Sequence, residues 1–282
     1  MPEALSQAGI EILARKYRFN PHVIAASGLV GEKEGRETGA SVEIQDFRDY
    51  VPGDDPRRID WLAYGRTDRL VVRLFREEVS PFVDVLIDNS ASMSIFDGRK
   101  ASLSHELKEY LYHSSRAGGI AVRLFAAGER LRRLESPEEL HFDESHSAIF
   151  FSPRRSAAGL RRSAVRILLT DFMDPADPGV VVRALSAGCA RLIVLHLLGP
   201  WEADPAAEGP ATLESVEEGR RADIQLKAGV VEKYKRRLAG LIGAAREETF
   251  KCGGLYLNII ADKKLESVLR EQFLPKGLVE VY

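Results

Sequence analysis

Cysteine is nearly absent: Cys189 and Cys252 are the only two in 282 residues, far apart and without companion ligands at metal spacing. A disulfide framework is thereby excluded, and a reducing compartment fits. Both thiols read as small buried hydrophobes. Long apolar runs are missing too. The most apolar stretch, Val180 to Trp201, is interrupted by Arg183, Arg191 and His196 and fails as a membrane span. Residues 1–19 carry acids early and no apolar core, so no signal peptide is expected and a cytoplasmic location is. Neither sign of charge dominates: the net charge is -2, which gives no global pull toward nucleic acid or an anionic membrane. The six histidines lack zinc spacing, and His141 and His146, near Asp143 and Glu144, read as surface or core residues. A Walker-type Gly-rich Lys loop and a Gly-x-Ser-x-Gly elbow are both absent.

What is present is an alternation of strands and helices. Residues 3–18 have the spacing of an amphipathic helix, with Leu5, Ile10, Leu13 and Tyr17 near one face. Short strands are expected around Val42 to Phe47 and from Leu70 to Val79, separated by the turn-forming segment 51–58. From residue 81 the rhythm is strand (81–88), helix (99–117, stopped by Gly118-Gly119), strand (120–127), a turn into RLRRL, strand (164–171), helix (178–187) and strand (190–198). A hairpin is expected near 205–227, then a long helix (230–250), a strand (255–261), a helix (263–272) and a last strand (278–281). Such alternation predicts a mostly parallel sheet with helices on both faces, an α/β Rossmann-like architecture. Ligands of such sheets sit outside the carboxyl ends of the strands, where two predicted strands end in Asp88 and Asp171.

Asp88-Asn89-Ser90-Ala91-Ser92 places a carboxylate and two hydroxyls within reach of one point. These are hard oxygen ligands, suited to Mg2+, with Mn2+ or Ca2+ as alternatives, and unsuited to zinc or copper. Asp171 supplies a second carboxylate that would act through water. The competing reading needs no metal, because Asp, Asn and Ser are preferred helix N-caps.

The pattern resembles the metal-ion-dependent adhesion site of von Willebrand factor A domains. Asp88, Ser90 and Ser92 match its Asp-x-Ser-x-Ser, and Thr170-Asp171-Phe172 matches its second turn with Phe in place of Gly. The resemblance implies a metal whose remaining position is filled by an acidic residue of a partner protein. The Thr ligand of the intermediate loop has no counterpart, since no Thr lies between Asp88 and Thr170. Ser145, Ser147, Ser152 or Ser156 could stand in. Upstream, Arg48-Asp49-Tyr50, Gly53-Asp54-Asp55 and Arg58-Ile59-Asp60-Trp61 resemble the hallmark of the domain-of-unknown-function family numbered 58. Its members are bacterial or archaeal, and many are encoded beside MoxR-class AAA+ ATPases, which implies such an ATPase as a partner.

Two charged segments have double readings. Arg48, Asp54, Asp55, Arg58 and Asp60 form either an ion network around a turn that Trp61 anchors to a core, or a docking surface. Arg154, Arg155, Arg161, Arg162 and Arg166 form either a solvated helical face or an anion-binding run. The expected organisation is a helix and β-rich segment over 1–80 and a von Willebrand factor A-like domain over 81–282. The expected function is a non-enzymatic, metal-dependent protein interaction module. A metal-free scaffold is the alternative. A phosphohydrolase fits less well, because the acid/base position two residues after Asp88 is Ser90.

Overall fold

The computed structural model describes residues 5–21, 42–51, 59–77, 82–94, 98–128, 131–140, 159–173, 177–205, 209–214 and 221–282. The chain divides into two compact units, residues 31–80 and the remainder. In chain order, helix α1 (Gln7–Lys16) and strand β1 (Tyr17–Phe19) belong to the larger unit. The smaller unit follows with β2 (Val42–Asp49), α2 (Trp61–Thr67) and β3 (Val71–Glu77). The larger unit resumes with β4 (Val83–Asp88), α3 (Arg99–Ala117), β5 (Val122–Ala127), β6 (Leu131–Leu134), β7 (Val165–Thr170) and α4 (Pro178–Ser186). It ends with β8 (Arg191–Leu198), α5 (Pro200–Ala203), β9 (Gly209–Glu214), β10 (Arg221–Leu226), α6 (Ala228–Lys251), β11 (Leu255–Ile260), α7 (Leu265–Val268) and β12 (Val279–Val281).

The expected sheet is present. Six strands run in the order β11-β8-β7-β4-β5-β6, parallel except for β6, which folds back on β5. Successive side chains on a strand point to opposite faces. Val85 and Ile87 therefore join Leu107, Tyr110 and Leu111 of α3 in one core layer, with Ile10 and Leu13 of α1. Leu86 joins Leu168, Val194, Val182 and Leu185 in the other, with Ala245 of α6. Both faces are covered, so the central strands are mostly apolar, with Asp84, Arg166 and His196 as buried exceptions. β9 and β10 form the expected antiparallel hairpin, whose turn lies outside the described residues. Among the described residues no helix is long and apolar enough to cross a membrane.

The structure corrects three expectations. Tyr17 is not on the α1 face: it opens β1, which pairs antiparallel with β12, so the chain's first described elements are tied to its last. Ile10, Leu13, Tyr17 and Phe19 are buried in the larger unit's core, so this helix does not belong with the β-rich segment. Trp61 is not buried in a core. It opens α2, is 61% exposed and meets Tyr64 edge-on. Asp60 is the residue that organises this turn, accepting the backbone N–H groups of Leu62 and Ala63 at 3.0 Å each as an N-cap. The other acids of the expected ion network, Asp54 and Asp55, lie outside the described residues.

The described part of the arginine run, Arg161, Arg162 and Arg166, is not a helical face either. Arg166 lies on β7 and is buried, donating to the carbonyl oxygens of Leu185 (2.6 Å), Ala187 (3.0 Å) and Arg161 (3.0 Å). It thereby satisfies the carboxyl end of α4, where helix carbonyls lack intrahelical partners. Arg161 stacks on Phe82 at 3.7 Å. Arg154 and Arg155 lie outside the described residues. Gly254 is required by close approach: a Cβ there would meet the Leu192 carbonyl oxygen and the Thr249 methyl, each at 2.8 Å.

Candidate functional site

The chain leaves β4 toward β5 on one side and reaches β7 on the other, so the carboxyl ends of β4 and β7 form a switch point, the usual ligand position in open α/β sheets. Asp88 ends β4, and Thr170 and Asp171 end β7, the adjacent strand. Ser90 lies two residues after Asp88, and Ser92 lies in the short 3-10 turn Ala91–Ser94. All four expected site residues are buried here: Asp88, Ser90, Ser92 and Asp171.

Asp88 is gripped on both oxygens by neutral donors. The Ser90 N–H donates to Oδ1 at 2.9 Å, and the Thr170 hydroxyl donates to Oδ2 at 2.6 Å. Burial, with the nearby Asp171 charge second, pushes the Asp88 carboxyl up to about 7. The Ser90 and Ser92 hydroxyl oxygens are 2.9 Å apart. Thr170 also accepts the Phe172 N–H at 3.1 Å, which closes the turn. Phe172 adopts a left-handed backbone with φ 50°, the conformation that favours glycine, at the position where the resembled motif has Gly. Its ring is nevertheless buried, edge-on to His196 at 5.3 Å.

Asp171 is not left to water. Its Oδ2 accepts from the Lys100 ammonium at 2.7 Å, and its Oδ1 accepts the Met173 N–H at 3.0 Å. Lys100 is the second residue of α3 and also donates to Glu202 Oε1 at 2.6 Å. Glu202, on α5 just after β8, accepts the Gly199 N–H on its other oxygen at 2.6 Å. Burial opposes charge on Lys100, but Asp171 and Glu202 together outweigh it and hold the ammonium above its usual range. Burial raises the Glu202 carboxyl, with Lys100 opposing.

Behind this network His196 of β8 lies beside Thr170 in the sheet. Its Nε2 is 2.8 Å from the Asp171 carbonyl oxygen, which only accepts, so Nε2 carries the proton. Its Nδ1 then accepts from the Tyr256 hydroxyl at 2.5 Å. Burial lowers the imidazole to about 4, so it is neutral near pH 7. A folded value below the unfolded one means that stability falls as pH drops from about 6.5 toward 4. His196→Phe is expected to flatten that slope, by on the order of 3 kcal/mol between the two ends, in urea melts followed across pH 4–7.

Lys100, Glu202 and His196 were missed as site residues from sequence. For Lys100 a signal exists. It precedes Leu103, Leu107 and Leu111 by 3, 7 and 11 residues, on the buried stripe of α3. The serines considered for the missing Thr ligand, Ser145, Ser147, Ser152 and Ser156, lie outside the described residues, as do His141 and His146.

Among the described residues no group of three or more His, Cys, Asp or Glu side chains is placed to hold a metal ion. A cation here would rest on one carboxylate, Asp88, and on hydroxyls. The oxygens fit that role: ligands at right angles around Mg2+, each about 2.1 Å from it, stand roughly 2.9 Å apart. The Ser90 and Ser92 hydroxyls, hydrogen-bonded to each other, have that separation. Charge fits as well, because three buried carboxylates, Asp88, Asp171 and Glu202, face one ammonium, Lys100.

Comparison with known proteins adds relatives without a described activity. Residues 46–142 match the model of a family described as protein of unknown function DUF58. Uncharacterized proteins of Mycobacterium bovis and Mycobacterium tuberculosis are 21% identical over 253 residues, covering 83% of this chain and 80% of theirs. Among solved structures, that of the conserved hypothetical protein BatB from Bacteroides thetaiotaomicron aligns at 12% identity with a TM-score of 0.37. The alignment covers 70% of this chain and 98% of that one.

Proposed function

We propose that this chain is a non-enzymatic protein interaction module of von Willebrand factor A type that takes a divalent cation, Mg2+ first and Mn2+ or Ca2+ as alternatives, on Asp88, Ser90 and Ser92. The observation that carries this reading is the pair of buried hydroxyls 2.9 Å apart beside a buried carboxylate, in a cluster with excess negative charge. Thr170 holds the Asp88 carboxylate in place, and Asp171 adds negative potential from the adjacent strand. A bound cation would supply an electrophilic position for an acidic side chain of the partner. A MoxR-class AAA+ ATPase is the partner class that the sequence resemblance implies.

A second reading, the metal-free scaffold, is favoured by Lys100, whose ammonium already offsets Asp171. Titration calorimetry with Mg2+ and Mn2+, wild type beside Asp88→Ala, separates the two. Saturable binding in the wild type that is lost in the variant is the expected outcome. No heat from either protein, with both folded, supports the scaffold.

A further inference from the structure

Lys100 is 1% exposed in its side chain and lies within 2.7 Å of Asp171 and 2.6 Å of Glu202. The second oxygen of each carboxylate is held by a backbone N–H, from Met173 and from Gly199. Neither carboxylate is therefore free to swing toward another cation without breaking bonds to the backbone. Asp88, in contrast, is held among the described residues by neutral donors, the Ser90 N–H and hydroxyl and the Thr170 hydroxyl.

We propose that Lys100 sets the cation affinity of the site and its acceptance of an acidic ligand: by occupying Asp171 and Glu202 and offsetting one of their two charges it leaves a divalent ion to Asp88 and the two serine hydroxyls. The proposal rests on the cation-binding reading above. Charge bookkeeping explains the consequence. Asp88, Asp171 and Glu202 against Lys100 leave two negative charges, which one divalent ion cancels. The loaded cluster is then neutral and accepts an acid from outside without repulsion. Without the ammonium, the loaded cluster would stay negative, hold its ion more tightly and repel a partner's carboxylate. Lys100 thus exchanges resident affinity for exchangeability and for an acidic ligand. A lysine that merely ties α3 to the sheet would have no such effect, and its removal would weaken the fold without strengthening any ligand.

The test is calorimetric titration of Mn2+ into wild type, Lys100→Gln and Lys100→Met at pH 8, with melting curves of each in chelator and in saturating Mn2+. Both variants are expected to bind Mn2+ at least about ten-fold more tightly than wild type. Both are expected to melt lower in chelator and to regain more from Mn2+ than the wild type gains. Equal or weaker Mn2+ binding in the variants, or variants that stay unfolded in saturating Mn2+, overturns the role of Lys100. No Mn2+ binding by any of the three proteins removes the cation reading itself, and this inference with it.

Discussion

In chelator at pH 8, Asp88→Asn is expected to melt above the wild type by roughly 5–10 °C, while at pH 4 the two melt together. Asp88 is buried, and its carboxyl is pushed up to about 7 by burial and by Asp171. A folded value above the unfolded one means that the stability this group contributes is fully present below about pH 4 and is lost as pH rises through about 7. At pH 8 the wild type bears the whole cost of a buried negative charge. Asparagine keeps a carbonyl for the Ser90 N–H and an amide that donates to the Thr170 oxygen, and it carries no charge. The same variant is expected to lose divalent-cation binding. A residue whose charge destabilises the metal-free fold and is needed for ligand fits a binding role. A simple N-cap predicts little change at any pH, because asparagine caps as well as aspartate. Thermal melts at pH 4, 6 and 8 decide between them.

Arg166→Met is expected to destabilise the larger unit by about 3–5 kcal/mol, through the orphaning of buried polar groups. Methionine fills much of the same volume, so a cavity is not the cause. Three carbonyl oxygens lose their donor, that of Leu185 in a buried place and those of Ala187 and Arg161 in partly buried ones. Asp84, fully buried on β4 and paired in register with Arg166, is left with the Arg123 guanidinium, which it binds through both oxygens at 2.8 and 2.7 Å, and with the Arg161 N–H. The site at the opposite end of these strands is not touched by this change. Urea denaturation gives the loss directly, and Mn2+ titration of the folded variant should match the wild type. A loss below about 1 kcal/mol would mean that relief from burying the guanidinium offsets the orphaned carbonyls.

The strands and helices from residue 81 onward were legible because local pattern and tertiary environment agree. β4 and β7 are mostly apolar runs, as a sheet covered on both faces requires, and they lead into Asp88 and Asp171. α3 was readable to its ends, since Gly118 and Gly119, the latter at φ 72°, follow the helical spacing of Leu103, Leu107, Tyr110 and Leu111. Asp88, Ser90, Ser92 and Asp171 were legible for the same reason, as polar groups stranded at the ends of apolar strands. The partners of these residues were not. Lys100 shares the stripe of Leu103, Leu107 and Leu111, but only packing reveals the two carboxylates it meets. Glu202 sits in a Gly-Pro segment that resembles a loop. The roles of Thr170 and His196 depend on strand register, which pairs them across β7 and β8 and has no trace in either strand alone. Arg166 misled because a run of arginines looks solvated, whereas strand alternation and the carbonyls at the end of α4 draw this one inward. Trp61 misled in the opposite sense, being large and apolar yet exposed.

The most direct test of the cation-binding account is the anomalous scattering of Mn2+ in crystals of the wild-type protein soaked with MnCl2. The account predicts one strong peak about 2.1–2.2 Å from a carboxylate oxygen of Asp88 and from the hydroxyls of Ser90 and Ser92, with Lys100 still on Asp171. Ordered Asp88, Ser90 and Ser92 side chains with no peak between them, at Mn2+ concentrations that saturate any site seen by calorimetry, would contradict it and leave the cluster as a hydrogen-bonded cap.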